Sequence, residues 1–392
     1  MRKDHRTAAI IVTALGIVFA VLSFYYFFFI SPISTAQKKR DAVYFSFVFT
    51  SARHTPYAAF IGAYAPATGR TGMVSIPSFM GLWRGDSPQL NTLEAWYTRG
   101  GYRSVFDAIS RTFRMPLTYR IVVQERDLAD IIDLMGGVRI FIENEVSYVR
   151  EADGIHLAFS PGLHLLDGGR AVQYIAAAPD MSRERLSRLE DVVMNLCIGF
   201  AGDPSLKKVF TTLPFTMTLA ARLHGNLRPV DYRAFGDTAT NLLPAGFSIG
   251  TMSGEPTSSS NMLAPLLNGR HAVKSAKDIA RDVLMPLDIT PYGKQDIKLA
   301  VRNATIIGGL ADRIKIRMSY RGFSATEFGN AGIHCPNTFV LIRNGSAAKG
   351  FMVADAAKTK LVYACTDRSL LQDAALVLGD DYYEIPRIQS GK

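Results

Sequence analysis

The sequence predicts an α/β protein that is tethered to a membrane at its N-terminus and continues as two folded domains. Three observations support this prediction. Residues 8–30 form an apolar run without a charged side chain. Segments rich in aromatic and β-branched residues then alternate with segments of helical apolar spacing, which is typical of α/β folds. A stretch rich in Ser, Thr, Gly and Pro at residues 248–262 separates the two parts.

The apolar run is long enough to cross a bilayer. A helix of residues 8–30 would measure roughly 34 Å, and the hydrocarbon core of a bilayer is about 30 Å thick. Basic residues lie on both sides of the run, at 2–6 and at 38–40, so charge alone does not orient it. We expect a single-pass signal anchor in the cytoplasmic (inner) membrane, with the following domains outside the cytoplasm.

Two alternatives compete with the anchor. A cleaved signal peptide could use the small residues at 34–36, although the apolar cores of such peptides are usually about 7–15 residues long. A buried core helix is disfavoured, because the run stands at the extreme N-terminus and is apolar on all sides. The anchor is the favoured interpretation.

The composition restricts the classes of partner. The chain has 392 residues, 48% of them hydrophobic, which excludes wholesale disorder, and a formal net charge of +10. An excess of basic over acidic residues favours anionic partners such as lipid headgroups, phosphorylated carriers or acidic polymers. No basic stripe or DNA-binding motif is present, so nucleic acid is not an expected partner. A generally basic solvated surface would explain the charge equally well.

The three cysteines form neither a disulfide framework nor a zinc-binding pattern. Cys197 lies in an apolar helical segment, which indicates core packing. Cys335 and Cys365 fall in one predicted domain and could pair outside the cytoplasm. The sequence leaves their pairing open.

The first predicted domain contains a series of strands and helices. Their patterns predict strands at 41–50, 56–65, 69–77 and 118–123, and helices in the second half of 90–113, at 125–135 and at 186–200. A further strand is predicted at 138–142, after a helix stop at Gly136–Gly137. Residues 118–142 thus predict a strand–helix–strand unit of an α/β layer.

The second predicted domain is smaller. Its patterns predict strands at 298–302, 323–328, 338–342 and 361–364, with helices at 310–319 and 347–357. The predicted domain plan is a cytoplasmic stub and anchor at 1–30, a first domain at 41–250, a linker at 251–294 and a second domain at 295–392.

Several segments are similar to motifs of one family. They are MVSIP at 73–77, LNTLEAWYTRGG at 90–101, DLADIIDLMGGVRIFI at 127–142 and SPGLHLLDGGRAVQY at 160–174. In this order they resemble the LytR-CpsA-Psr (LCP) family of bacterial cell-envelope proteins. Residues 298–383 resemble the LytR C-terminal-type domain, through VRNATIIGGLADRI, RGFSATEFGNA and VLGDDYY.

The resemblance implies an α/β/α sandwich for residues 41–250 and a small α/β domain after it. It also implies a protein of the cell envelope that handles polyprenyl-pyrophosphate-linked glycans. Active members are thought to transfer a glycopolymer to peptidoglycan, with a divalent metal such as Mg²⁺ at the pyrophosphate. That chemistry uses arginines to hold a diphosphate and carboxylates to place the metal. An apolar pocket holds the lipid tail.

The chain departs from the family pattern at the positions that carry this chemistry. The family reads Ser-Ile-Pro-Arg-Asp where residues 75–79 are SIPSF. It places two arginines at alternate positions after a tyrosine, where residues 175–178 are IAAA. It has an Arg-Ser-Asp type segment where residues 54–60, HTPYAAF, offer no carboxylate. These losses predict a divergent, catalytically impaired member.

Part of a later family pattern, Arg-x-x-Arg-Gln, is retained as Arg185 and Arg188. Being three apart, they share a helix face, and they are the candidate anion contacts, with Arg185 the best catalytic candidate. A solvated basic helix start, with Arg183 beside them, is the alternative. Asp180 is a weak candidate metal ligand or arginine partner. Asn91 and Arg99 could line the same cleft, although turn and surface roles are favoured for both.

Three functional hypotheses remain open. The first is a non-catalytic envelope protein that binds a polyprenyl-phosphate lipid, a glycan or an envelope protein partner. The second is a working phosphotransferase whose ligands have moved to other positions and which would need Mg²⁺. The third, a transcriptional regulator, is disfavoured by the tether and the missing DNA motif.

Overall fold

The computed structural model describes residues 30–83, 90–150, 155–179, 182–252, 254–257, 260–265, 277–278, 281, 283–284 and 292–382. The predicted anchor, except for Ile30, lies outside the described residues. Within these ranges, no helix is both long enough and apolar enough to span a membrane.

A six-stranded mixed sheet forms the centre of the first unit. Its strands are β1 (Val43–Thr50), β2 (Pro56–Ala65), β3 (Arg70–Pro77), β4 (Tyr119–Gln124), β9 (His224–Gly225) and β10 (Phe247–Thr251). The spatial order is β10-β3-β2-β1-β4-β9. Strands β1 to β3 form an antiparallel meander, β4 runs parallel to β1, and β10 runs parallel to β3. The four strands predicted between residues 41 and 123 are confirmed.

Helices cover both faces of this sheet. They are α1 (Pro32–Lys39), α2 (Leu93–Phe113), α3 (Glu125–Leu134), α4 (Gly168–Ala176), α5 (Arg183–Gly202), α6 (Pro204–Phe210), α7 (Leu213–Ala220) and α8 (Pro229–Ala239). Alternate residues of β1 point to opposite faces. Val48 packs with α2 on one face, whereas Phe45 and Phe49 pack on the other, with α3 and α5. The expected helix–sheet–helix layering is therefore present.

A kink interrupts α2 at Gly100–Gly101. Both residues leave helical geometry, and Gly101 has a φ of 62°. Such a φ is easily adopted only by glycine, because a side chain would clash there. The helix resumes after the kink and carries Val105 and Ile109 into the core.

One part of the predicted strand–helix–strand unit is wrong. β5 (Val138–Ile142) does not join β4 in the main sheet but pairs antiparallel with β8 (Gly162–Leu166). The outer edge of β4 is occupied by β9, so no edge is available beside it. Next to this two-stranded ribbon, β6 (Val146–Arg150) and β7 (Ile155–Phe159) form a second antiparallel pair.

The second unit is a five-stranded sheet with two helices. Its strands are β13 (Lys298–Asn303), β14 (Ser324–Asn330), β15 (Phe339–Ile342), β16 (Val362–Ala364) and β17 (Ala374–Leu378), in the order β14-β13-β17-β15-β16. The helices are α9 (Leu310–Tyr320) and α10 (Ala347–Ala357). The sequence prediction missed β17, although it is the central strand. Its run AALVL is short and continuously apolar, so it has no alternation to mark it as a strand.

The two units contact each other directly. The edge of β10 is covered by the second unit, where the backbone N–H of Ile249 donates to the carbonyl of Gly345 at 2.8 Å. The Asn195 side chain on α5 exchanges two hydrogen bonds with the backbone of Ala364, at 2.9 and 2.8 Å. Within the predicted linker, β11 (Gly254–Thr257) and β12 (Ser260–Pro265) form a hairpin.

Candidate functional site: an apolar cavity with a charged end

A cavity of about 310 Å³ lies between the main sheet and helices α3, α5 and α8. Its walls are almost entirely aliphatic and aromatic, including Phe47 and Phe49 of β1 and Val193 and Leu196 of α5. The cavity is about twice the size of an engineered cavity of about 150 Å³ that binds benzene. It is therefore large enough to hold a length of hydrocarbon chain.

The local sequence explains why this space is apolar. In β1, phenylalanines at alternate positions 45, 47 and 49 present three rings to one face. In α5, Val193, Leu196 and Cys197 recur at helical spacing and face the same space. Burial raises the pKa of the Cys197 thiol to about 12, so it remains protonated at neutral pH. It acts as a small apolar wall residue, as predicted.

A charged cluster adjoins one end of the cavity. Arg185 Nη2 lies 3.1 Å from Glu125 Oε1, and the Arg185 guanidinium stacks over the ring of Tyr57 at 4.7 Å. Both charged side chains are largely buried, with 11% and 18% exposure. Glu125 begins α3 only two residues after Val123, which lines the cavity. The cluster thus stands at the junction of β4 and α3, between the lining residues Val123 and Leu128.

A β-bulge brings Tyr57 into this cluster. Phe49 pairs with Ala58 and Thr50 with Pro56, so Tyr57 is the extra residue on β2. A bulge interrupts the strict alternation of side chains along a strand. It places Tyr57 on the same side of the sheet as Ala58, against the core that surrounds the cavity. Burial, and secondarily the nearby Glu125 charge, raise the pKa of the Tyr57 hydroxyl well above its ordinary value.

Arg188 lies one turn further along α5 and has different partners. Its Nη1 donates to the carbonyl of Tyr174 at 2.9 Å, and its guanidinium lies 5.0 Å from that ring. Its Nη2 lies 2.5 Å from Glu184. Arg188 therefore connects the end of α4 to the start of α5, and two of its donors are engaged within the protein.

The other candidate residues lie elsewhere. Asn91 exchanges backbone hydrogen bonds with Leu82 just before α2, and Arg99 is exposed and stacks on Trp96 at 5.4 Å. Both belong to the layer on the opposite face of the sheet from α5. Asp180 lies outside the described residues.

The segments that depart from the family pattern are well packed. Ser75 donates its hydroxyl to Glu190, and β3 ends at Pro77, before Ser78 and Phe79. At the end of α4, Ala178 is buried. In the part of the chain that the structure describes, no group of three or more His, Cys, Asp or Glu side chains is arranged to hold a metal ion. These residues do not form a ligand set for Mg²⁺.

Two carboxylates on α5 were missed by the sequence prediction. Glu190 is buried and accepts from Thr251 Oγ1 at 2.7 Å, besides pairing with Ser75 and with Arg368 of the second unit. Asp191 is also buried and accepts from the backbone N–H of Thr366 at 2.7 Å. The sequence did indicate that Glu190 is buried, since position 190 is four residues after Leu186 and so falls on the predicted apolar face of the helix.

Asp191 makes the stability of the protein depend on pH. Burial raises its pKa from 3.8 to about 7, although hydrogen bonds from Thr366 oppose the shift. Between about pH 4 and pH 7 the folded state therefore binds an extra proton, and the free energy of unfolding falls as pH rises. We expect Asp191→Asn to remove this fall and to be more stable than the original chain above pH 7, by up to about 4 kcal/mol. Below pH 4 the two should be equally stable.

Thermal unfolding of both proteins between pH 4 and pH 8 measures this difference. Glu190, Arg368, Arg343, Tyr174 and Cys365 surround Asp191 and remain unchanged in the comparison. A constant difference across the pH range would contradict the raised pKa.

Comparison with known proteins bears on the first unit. Residues 58–201 match the model of the LytR_cpsA_psr family. This match covers less than half of the chain. No curated protein sequence matches the chain.

Solved structures show the same fold. TagV of B. subtilis has a TM-score of 0.51 at 16% identity, and the match covers 64% of this chain and 99% of TagV. A structure of TagT bound to LIIa-WTA has a TM-score of 0.50 at 14% identity, covering 63% and 92%. Protein gbs0355 of Streptococcus agalactiae has a TM-score of 0.50 at 15% identity, covering 63% and 90%. Together these matches show a mixed α/β fold like that of TagV.

Proposed function

We propose that this chain is a membrane-anchored, extracytoplasmic LCP-type protein that binds a polyprenyl-phosphate or related glycan-lipid and has lost the transferase chemistry. The observation that carries the proposal is the apolar cavity, with the Arg185 cluster at the β4–α3 junction that contributes to its lining. A hydrocarbon tail fits the cavity walls, and a phosphate fits a guanidinium at their end. A ligand in which a phosphate is attached directly to a hydrocarbon tail matches both the guanidinium and the cavity.

The tail would supply most of the affinity. Each methylene transferred from water to an apolar site contributes about 0.8 kcal/mol. The cavity offers few polar partners, so it favours a plain isoprenoid or acyl chain over a sugar. We therefore place the glycan outside the cavity, beyond the Arg185 cluster.

The contacts of the arginines support the proposed loss of transferase chemistry. Arg185 is paired with Glu125, and two donors of Arg188 are engaged with Tyr174 and Glu184. The strand end at 77–79 and the helix end at 175–178 contain no arginine and no carboxylate. Each charge-assisted hydrogen bond to a phosphate would contribute about 1.5–3 kcal/mol, so the loss of several removes most stabilisation of a diphosphate. A binding role survives this loss more easily than a transfer reaction does.

The function is tested with the full chain in lipid nanodiscs, by measuring the binding of polyprenyl phosphate against the matching polyprenol. We expect the phosphate to bind more tightly than the alcohol, and Arg185→Ala to abolish that preference. Glu125→Gln should strengthen phosphate binding by about tenfold, because it removes the carboxylate that competes with phosphate for the guanidinium, a change of about 1.4 kcal/mol. Arg183→Ala, an exposed change in the same helical turn, is the matched control.

The same preparation separates this proposal from the alternative of an active phosphotransferase. It is incubated with a polyprenyl-pyrophosphate-linked glycan, Mg²⁺ and peptidoglycan fragments, and the release of polyprenyl phosphate is followed. We expect no release above the uncatalysed rate. Turnover that Arg185→Ala abolishes would overturn the non-catalytic proposal and establish the transferase. Equal binding of the phosphate and the alcohol would show that Arg185 does not contact the headgroup.

A further inference from the structure

Helices α6 and α7 form a hairpin whose outer face is apolar. Residues 209–221 contain no charged side chain. Val209, Leu213 and Met217 recur every four residues and are 44%, 71% and 63% exposed. An exposed helix in water normally presents charged and polar groups on its outer face. This hairpin therefore presents an apolar strip, Val209, Leu213 and Met217, with the exposed threonines Thr211, Thr212 and Thr218 beside it.

The inner face of the same hairpin is also apolar. Phe210 and Leu219 are buried and line the cavity, and Phe210 packs against Phe215 and against Phe235 of α8, with ring centroids 5.1 and 5.3 Å apart. The hairpin is thus a thin layer between the cavity and the outside. Apart from its two threonines, α7 is apolar on both its inner and its outer face, which favours apolar surroundings on both sides.

The hairpin lies close to the point where the chain leaves the predicted anchor. Helices α1, α6 and α7 all pack against α8, which is roughly 16 Å long. Arg228, at the start of α8, donates from Nη2 to the carbonyl of Ile30 at 2.8 Å. Ser31 donates to Asp231 on the same helix at 2.7 Å. The last residue of the apolar run is therefore held beside the helix that supports the hairpin.

Exposed basic side chains occur on α6 itself and on α1, which packs against the same helix α8. Lys208 is exposed next to Val209, and Lys38, Lys39 and Arg40 are exposed at the end of α1. An apolar strip bordered by Lys and Arg is typical of helices that lie in the interface of an anionic bilayer. The same arrangement would suit a water-facing protein partner less well, because such interfaces contain fewer lysines than the rest of the surface.

We propose that Val209, Leu213 and Met217 insert into the headgroup region of the bilayer, so that the α6–α7 hairpin is a second membrane contact beside the anchor. This inference rests on the anchor in the proposed function. It commits to lipid as the occupant of the strip. Its consequence is that the cavity is separated from the membrane by one layer of helix, which gives a lipid tail a short path between the two.

The test places a tryptophan on the strip of the full chain in nanodiscs that contain brominated lipids. Bromine quenches indole fluorescence only at close range, and Leu371→Trp, at an 80% exposed position in the second unit, is the matched control. After subtraction of the signal of the original chain, we expect Met217→Trp to lose at least twice the fraction of fluorescence that Leu371→Trp loses. Leu213→Trp should behave like Met217→Trp. Acrylamide, a quencher dissolved in water, should act more weakly on both than on the control.

Two results would overturn the membrane contact alone. Quenching of Met217→Trp by lipid that equals the control, with full access to acrylamide, would mean that the strip faces water. Shielding from both quenchers would mean that protein, such as a second copy of the chain, covers it. If the chain fails to remain with the nanodiscs at all, the anchor is wrong and the inference falls with it, which distinguishes the two failures.

Discussion

Replacing Glu190 with alanine is expected to lower the free energy of unfolding by about 3 kcal/mol. Glu190 is only 1% exposed and accepts from Ser75, Thr251 and Arg368. Removal of one partner from a fully buried ion pair typically costs about 3–5 kcal/mol. We expect the lower end, because the Arg368 side chain is 30% exposed and can regain some water.

Thermal unfolding measures this effect directly, since a loss of about 3 kcal/mol lowers the midpoint by about 4 °C in a chain of 392 residues, at an unfolding entropy of about 2.1 cal/mol/K per residue. The matched control is Glu327→Ala, which removes a glutamate from the exposed pair with Arg302 and should cost less than about 1 kcal/mol. If both variants melt alike, burial of Glu190 does not matter to stability. Should the alanine variant fail to accumulate, Glu190→Gln keeps the shape and most hydrogen bonds and should show a smaller loss.

The position of Glu190 explains why this single side chain has a large effect. It joins β3 and β10 of the first unit, through Ser75 and Thr251, to Arg368 of the second. Nearby, Arg343 of the second unit makes a two-pronged ion pair with Glu143, at 2.9 Å for both contacts. These charged contacts, with the Asn195 and Asp191 hydrogen bonds, fix the angle between the units. One side of α5 carries the polar contacts with the second unit, and the other side lines the cavity. The second unit therefore supports the wall of the cavity.

Local patterns predicted most of the elements, because they depend on residues that are close in sequence. The strand predicted from the aromatic and β-branched residues of β1 and the helix predicted from the apolar spacing in α5 are examples, and both are confirmed. The pairing of β5 was missed because it depends on a distant strand. β9 lies more than eighty residues after β5 in the sequence and occupies the edge of β4. The bulge at Tyr57 was missed for a similar reason, since a bulge is a property of two paired strands and not of one.

In the candidate site, too, features that depend on local sequence were predicted and features that depend on distant contacts were not. Arg185 could be selected from the sequence, because its motif is local. Its partner Glu125 could not, since it is sixty residues away and has no motif of its own. The apolar character of the cavity was expected from the resemblance, whereas its lining by α5 and β1 depends on the packing of helix against sheet. Nothing in the sequence indicated that Arg188 would donate a hydrogen bond to the carbonyl of Tyr174.

Filling the cavity provides the strongest expected effect on binding. Cys197 lines its wall, and Cys197→Trp would project an indole ring into the space that a lipid tail should occupy. If the ring displaces about four methylene groups, the lost burial is about 3 kcal/mol at about 0.8 kcal/mol each. We therefore expect polyprenyl phosphate to bind about 100-fold more weakly to Cys197→Trp than to the original chain.

Cys197→Ala is the matched control, because it removes the thiol without filling the space and should leave binding within a few-fold of the original. Both variants need the same thermal midpoint, within a few degrees, for the comparison to report on the cavity and not on folding. The Trp variant should meet this condition, because the new ring enters existing space instead of displacing packed atoms. A Cys197→Trp protein that folds normally and binds the lipid as tightly as the original would place the tail outside the cavity. The proposal that the cavity holds the tail of a ligand whose phosphate lies at Arg185 would then be wrong.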